Sequence, residues 1–131
     1  MSYIHCWVYR LTGGTLGARF GGPALLLTTR GRKTKAYRTT PLLYLEDGDH
    51  WVVVASNGGA DFHPDWWLNL KANPTAWAQI KGRVMRVLAR EVSEDERRRL
   101  WPLLVNMCGL YETYRTRTSR KIPIVSLESD S

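Results

Sequence analysis

The sequence has few cysteines, comparatively few acidic residues and no long apolar run, and each shortage narrows what the protein can be. Its two cysteines, Cys6 and Cys108, lie far apart and match no metal-ligand spacing, so no metal site is expected. No run approaches the roughly 18 apolar residues of a membrane-spanning helix. Because no signal peptide is evident either, we expect a cytoplasmic protein with reduced thiols.

The shortage of acids leaves a basic chain, in which 12 aspartates and glutamates oppose 19 lysines and arginines for a net charge of +7. Such a charge favours acidic partners, which include nucleic acid, anionic lipid and phosphorylated or polycarboxylate ligands. The 131 residues are enough for one hydrophobic core. We expect an N-terminal helix or arm at residues 1–20 and a single domain at residues 21–131.

The basic residues concentrate between two apolar runs, 24–27 and 42–45. Five of the nine residues from 30 to 38 are lysine or arginine, and Gly31 is the only glycine among them. This pattern predicts two strands joined by a basic turn, whose guanidinium groups and backbone amides would donate to phosphate oxygens. The alternative is a solvated hairpin tip, where lysine and arginine carry no function.

Further apolar runs predict several more strands. The expected strands span residues 23–28, 37–45, 50–55, 75–80, 84–92 and 122–127. Pro41 places its strand at an edge or marks a bulge. The small residues 56–59 end the third strand and form either a plain turn or a loop that a ligand approaches closely.

Helix signals fall between and after these strands. A helix is expected at residues 63–70, with Asp65 in its first turn and a stop at Asn73-Pro74. Ser93 and Glu96 have the spacing of a capping box, and Pro102 should kink the helix or begin a second one. Residues 110–116 form a further short helix. The order predicts a mainly β (α+β) antiparallel barrel of about six strands, with three or four helices over its openings.

Aromatic side chains are candidates for both core and site. Of the adjacent Trp66 and Trp67, one should pack in the core while the other contacts a ligand or a partner. Tyr111 and Tyr114 are three residues apart and project from one side of their helix, where they are core-edge or substrate-orienting residues. His63 is more often a helix-start residue than a catalyst.

Five of these stretches, in this order and spacing, resemble the deazaflavin-dependent nitroreductase family, whose members use coenzyme F420. The matching stretches are LLLTTRGRKT (25–34), RTTPLLY (38–44), VVASNGGA (53–60), HPDWWLNLKANP (63–74) and YETYRTRTSRKIPIV (111–125). The resemblance runs from about Tyr9 to Glu128. It implies a split β-barrel related to FMN-binding reductases, with the deazaflavin in a groove beside the barrel.

The resemblance also implies site residues. It assigns the cofactor's phosphate and acidic tail to Arg32, Lys33, Thr34 and Arg38, and the groove along the next strand to Thr39, Thr40, Pro41, Leu42 and Leu43. It assigns ring contacts to Val54, Ala55, Ser56, Asn57 and Tyr111. It also places the first turn of the helix against the cofactor, with Asp65, Trp66, Trp67, Leu68 and Asn69. F420H2 would then give a hydride to an electron-poor quinone, enone or nitroaromatic. Tyr111, Tyr114 or Ser56 would donate a hydrogen bond to the acceptor or relay a proton.

This sequence departs from the family pattern at three places. Lys35-Ala36-Tyr37 stands where Gly-x-Pro is common, Trp67 replaces a tyrosine, and residues 107–110 replace an aromatic and a proline. Three alternatives stay open: a barrel that binds FMN or haem, a deazaflavin carrier without turnover, and a basic module that stacks on single-stranded nucleic acid. We expect a small-molecule acceptor, no nucleic acid, at most weak peripheral contact with the inner face of the cell membrane, and a monomer or homodimer.

Overall fold

The computed structural model of the protein describes residues 24–130. The helix or arm expected at residues 1–20 lies outside these described residues. Within them, none of the helices combines the length and the hydropathy that crossing a bilayer requires.

Seven strands, three α-helices and one short 3-10 helix follow one another along residues 24–130. They are β1 (Ala24–Arg30), β2 (Tyr37–Leu43), β3 (Leu45–Asp47), β4 (His50–Val54), the 3-10 helix (Asn57–Gly59), α1 (Asp65–Ala72), β5 (Thr75–Ile80), β6 (Arg83–Glu91), α2 (Glu94–Met107), α3 (Leu110–Arg117) and β7 (Ile124–Ser129). These are seven strands where about six were expected, because the chain changes pairing partner at the buried Tyr44 and the second expected strand becomes β2 and β3. Before it, β2 pairs with β1, and after it β3 pairs with β4.

The seven strands form one antiparallel sheet in the order β2-β1-β5-β6-β7-β4-β3. The sheet curls into a half-barrel, the split β-barrel that was predicted. Its edge strand β2 carries Pro41, opposite Leu26 of β1. The edge position expected for Pro41 is thereby confirmed, since proline has no N–H to give to a second neighbour.

Two apolar clusters hold the barrel together. Inside the sheet, alternate residues of the strands, such as Leu27 and Val87, pack against Trp66, Trp67 and Leu70 of α1. Outside it, α2 and α3 cover β4 and β7, where Leu100 and Leu104 pack among other buried residues. β7 is therefore buried on both faces over residues 124–127, where three of the four residues are apolar and Ser126 is buried with them.

The start of α2 is a capping box, as predicted. The Glu96 N–H donates to the Ser93 hydroxyl at 3.2 Å, and the Ser93 N–H donates to the Glu96 carboxylate at 2.9 Å. Pro102 lies inside this helix, which continues to Met107, so of the two expected outcomes, a kink or a new helix, no new helix begins at Pro102. Leu100 and Leu104, two residues before and after Pro102, are buried in the outer cluster and fix the helix there despite the hydrogen bond that proline cannot make.

Lowering the pH should destabilise the folded protein through protonation of Glu96. The hydrogen bonds from Arg90, and next those from Ser93, lower the pKa of Glu96 to about 2 from 4.5. A depressed carboxyl pKa stabilises the folded state above the ordinary pKa, and this contribution is lost as pH falls from there toward about 2. We expect Glu96→Gln to lower Tm at neutral pH and to flatten the fall of Tm in this acid window. Thermal unfolding of the wild type and the variant at a series of pH values measures both effects.

The control for this change is Glu91→Gln, which removes one exposed carboxylate at the end of β6. If Glu96→Gln and Glu91→Gln gave the same dependence of Tm on pH, the stabilising role of the Glu96 carboxylate would be refuted.

One cysteine differs from expectation. Cys108, which follows α2 and is buried, is disulfide-bonded in the structure. The prediction of a reduced thiol at this position is therefore wrong. The number and spacing of cysteines in a sequence do not show whether a given cysteine is oxidised.

Candidate active site

A cavity of about 320 Å³ lies between the ends of β2 and β4, the start of α1 and one side of α3. Its lining is formed by Thr40, Pro41, Leu42, Leu43, Val54, Ser56, Asn57, Gly58, Pro64, Trp66, Cys108, Tyr111 and Tyr114. Ten of these thirteen residues were predicted to lie at the site, and they come from segments that are far apart in the sequence. The fold therefore brings most of the predicted ring-binding and catalytic residues to one place.

The loop after β4 forms one wall of this cavity. Asn57, Gly58 and Gly59 all have positive φ angles of 49°, 65° and 82°. A Cβ on Gly59 would lie 3.1 Å from the Tyr114 Cα and carbonyl oxygen, so only glycine lets the loop contact α3 this closely. At Gly59 the close approach is to a helix of the same chain, and it sets the spacing between two cavity walls.

Tyr111 and Tyr114 lie on the buried side of α3, and both line the cavity. Burial, and secondly the neighbouring Tyr114, raises the pKa of Tyr111 well above its usual range. The phenol of Tyr111 therefore stays protonated at every physiological pH and can act as a hydrogen-bond donor.

The basic turn between β1 and β2 is a compact, internally bonded loop. The Gly31 N–H donates to the Ala36 carbonyl at 2.7 Å, and the Lys35 N–H donates to the Gly31 carbonyl at 3.0 Å. A Cβ on Gly31 would lie 2.8 Å from the Thr34 hydroxyl, so the turn needs glycine there. The loop thus has a defined shape and is not a loose hairpin tip.

One arginine of the turn is already bound within the protein. The Arg32 guanidinium donates to the Asn69 amide oxygen at 2.9 Å and pairs with the Asp65 carboxylate at 3.4 Å. The Arg32 N–H also donates to Asn69, whose own amide donates to the buried Thr29. Asn69 and Asp65 of α1 therefore hold the turn in place, and the exposed cations Lys33, Lys35 and Arg38 face solvent.

Arg38 connects this turn to the cavity. It lies two residues before Thr40 on β2, so both side chains project from the same face of the strand, about 7 Å apart. An anionic group bound at the turn and a flat ring in the cavity can therefore belong to one elongated molecule.

The remaining predicted residues are not part of the cavity lining. The Thr39 hydroxyl bonds to that of Thr28 at 2.8 Å on the opposite face of the sheet. Ala55 and Trp67 are part of the interior core, and Leu68 is half-buried on α1. Conversely, Gly58, Pro64 and Cys108 line the cavity without having been predicted. Within residues 24–130, no group of three or more His, Cys, Asp or Glu side chains is placed to hold a metal ion.

Lys35 has an unfavourable backbone conformation. Its φ is 65°, in the left-handed region, where a residue with a Cβ costs about 1 kcal/mol relative to glycine. We expect Lys35→Gly to raise the free energy of unfolding, as measured by urea denaturation, and to weaken binding of a polyanionic ligand. Lys71→Gly, at an exposed α-helical position, should instead destabilise the protein.

If Lys35→Gly destabilised the protein as much as Lys71→Gly did, the left-handed strain at this position would be refuted.

A split barrel with an apolar cavity beside a cationic turn is an arrangement that can bind a flat ring carrying an anionic tail. The model of the F420H(2)-dependent quinone reductase family matches residues 1–129, and the chain belongs to this family.

Named relatives agree with this assignment. The F420H(2)-dependent quinone reductase Rv1261c of Mycobacterium tuberculosis is 42% identical over 129 residues, which are 95% of this chain and 87% of that protein. The solved F420-H2 dependent reductase FDR-A is 39% identical, with a TM-score of 0.73 over 81% of this chain and 94% of the other. A structure described as a domain-swapped dimer is 37% identical, with a TM-score of 0.73 over 94% and 98% of the two chains.

Proposed function

We propose that this protein is an F420H2-dependent oxidoreductase that transfers a hydride from the reduced deazaflavin to a quinone. The observation that carries the proposal is the pairing of two features: an apolar, tyrosine-lined cavity and an adjacent turn with three exposed cations. A flat ring with a long acidic tail needs both. FMN has a shorter and less acidic tail, which favours F420 over FMN.

The residues present fit this cofactor. Lys33, Thr34 and Arg38 would hold its phosphate and acidic tail, while Arg32 shapes the turn through Asn69 and Asp65. The ring would lie against the end of β2, the loop at Ser56 and Asn57, and Trp66. When bound, reduced F420 supplies a hydride without one-electron chemistry.

Tyr111 would act on the acceptor. Negative charge develops on the oxygen of a quinone as it is reduced, and a donor in a buried site stabilises that charge more than water does. The Tyr111 phenol is buried and protonated, so it can donate to this oxygen. Tyr114 and Ser56 line the same cavity and can assist. Enones and nitroaromatics develop similar charge and are the further acceptors to test.

The surroundings of the enzyme are also part of the proposal. We place it in the cytoplasm, with at most weak peripheral contact with the inner face of the membrane, where quinones reside. It works as a monomer or a homodimer; the 37% identical relative described as a domain-swapped dimer supports the second form.

The test is a titration of tryptophan fluorescence with oxidised F420, with FMN as the control, because Trp66 lines the cavity. Saturable quenching at micromolar or lower concentrations by F420 alone is expected. The reduced cofactor should then be oxidised on addition of a water-soluble quinone. No response to F420, or an equal response to FMN, would refute the proposal.

A further inference from the structure

The loop at residues 55–63, which forms one wall of the cavity, is bonded at several positions by one side chain from elsewhere in the fold. Arg120 lies between α3 and β7, and its guanidinium donates to the Ala60 carbonyl at 2.9 Å and the Ser56 carbonyl at 2.8 Å. The same group donates to the Ala55 carbonyl at 3.3 Å and contacts the His63 Nδ1 at 3.0 Å. One planar group thus bonds four positions of one loop.

The geometry points to Arg120 as the positioning residue of the cavity: it holds the wall at residues 55–63 against α3, with neutral His63 as one of its acceptors. Acid therefore loosens the wall and weakens cofactor binding. The part of this inference that concerns the cofactor rests on the proposed function, whereas the part that concerns the wall does not.

Neighbouring bonds show that the two segments are joined as a unit. The Ala55 N–H donates to the Pro123 carbonyl at 3.0 Å, and the Thr118 hydroxyl donates to the Asp61 carboxylate at 2.9 Å. Arg120 lies between these two bonds in the sequence. On the loop side, Asn57 has a left-handed φ of 49°, a conformation that costs a residue with a Cβ some free energy and that surrounding contacts must maintain.

A lysine cannot replace this arginine. The guanidinium presents its donors in a flat, fixed fork, which here spans three carbonyl oxygens and an imidazole, whereas an ammonium group is one point charge. All four acceptors are neutral, so the contact depends on geometry more than on charge pairing. The positioning role is therefore specific to arginine.

His63 makes the arrangement sensitive to pH. Its Nδ1 can accept from Arg120 only while the ring is neutral, with the proton on Nε2. Burial, then the charges of Arg120 and Lys71, lower the pKa of His63, while Glu91 acts against them. Asp61 is the acidic group that faces Arg120. Protonation of His63 would put a proton on Nδ1, so that two N–H donors would face each other. The contact between Arg120 and His63 would then be lost.

Four variants test the inference. Arg120→Met removes the fork, Arg120→Lys keeps the charge without the fork, and His63→Asn keeps an acceptor oxygen that cannot be protonated. Arg115→Met is the matched control, since Arg115 is exposed on α3 and pairs with Glu112 alone among the described contacts. Hydrogen exchange of the Gly59 and Ala60 amides, without cofactor, reports the wall directly.

We expect the Gly59 and Ala60 amides to exchange at least about tenfold faster in both Arg120 variants than in Arg115→Met. Both Arg120 variants should also bind F420 about tenfold more weakly than Arg115→Met. Rescue by Arg120→Lys would overturn the geometric role. In Arg120→Met, the His63 titration followed by NMR should move up toward its ordinary range. An unmoved titration would also overturn the inference.

The ratio of F420 affinities between about pH 8 and about pH 5 should be smaller in His63→Asn than in the wild type. Ionisation of F420 itself is common to both proteins and cancels in this comparison. An equal ratio would overturn the pH-dependent part. If the wild type binds no F420, the proposed function fails, and amide exchange and the His63 titration still decide the role of Arg120.

Discussion

Replacing Tyr111 by phenylalanine should lower kcat for quinone reduction about a hundredfold, while Kd for F420 changes less than about threefold. The physical reason is that the buried phenol donates to the acceptor oxygen only as charge develops there. Loss of a transition-state hydrogen bond lowers kcat without an equal effect on ground-state binding. Steady-state kinetics with a water-soluble quinone, together with fluorescence titration of F420, measure the two quantities separately.

The control is Tyr37→Phe, which removes the hydroxyl of an exposed tyrosine at the start of β2, outside the cavity. Because burial raises the pKa of Tyr111, its phenol does not titrate in the neutral range. The wild-type and Tyr111→Phe profiles of kcat against pH should therefore be parallel there. Unchanged kcat in Tyr111→Phe would remove this residue from the mechanism and leave Tyr114 and Ser56 as the candidates.

Reversing the charge of Arg38 should weaken F420 binding about a hundredfold, because a charge-assisted hydrogen bond is lost and a repulsion replaces it. Arg38 is the exposed cation of the turn region that lies on the same strand face as the cavity residue Thr40. The barrel core does not contain it, so Tm should change little. Fluorescence titration of Arg38→Glu at several salt concentrations gives the affinity and its salt dependence.

The chain offers a matched control at the opposite end of the sheet. Arg83 begins β6 and is exposed, and the β5–β6 hairpin lies at the end of β1 away from the basic turn. Arg83→Glu changes the net charge by the same amount. If it weakened binding as much as Arg38→Glu, the attraction would be a property of the overall charge and not of the turn.

Much of the fold was readable from local patterns. The capping box at Ser93 and Glu96, the stop at Asn73-Pro74 and the edge strand at Pro41 were all predicted and are all present. Each depends on residues within a few positions of one another, so tertiary context has little chance to override it. The division of the second predicted strand at Tyr44 was missed, because pairing partners are not encoded locally.

The candidate site was readable only in part. The resemblance assigned five groove residues from Thr39 to Leu43, and four of them, Thr40 to Leu43, line the cavity together. It assigned Arg32 and Asn69 to the cofactor as well, yet these two bond to each other and shape the turn. Sequence gives the number of cations in the turn, but only the fold shows which of them has an internal partner.

His63 and Arg120 illustrate the same limit. His63 was interpreted as a helix-start residue, and Arg120 was assigned no individual role within its basic segment. No sequence signal could have joined them, since three of the four groups that Arg120 bonds are backbone carbonyls, which every residue carries.

The sequence by itself determined the order of strands and helices, the basic turn and the family, because periodicity, capping and motif spacing act over short ranges. Only the tertiary structure decided which side chains line the cavity, that Arg32 is bound to Asn69 and Asp65, and that Arg120 bonds the loop at residues 55–63. These contacts join residues far apart in the chain. Their formation depends on sheet order and helix packing, which the whole set of buried residues settles together.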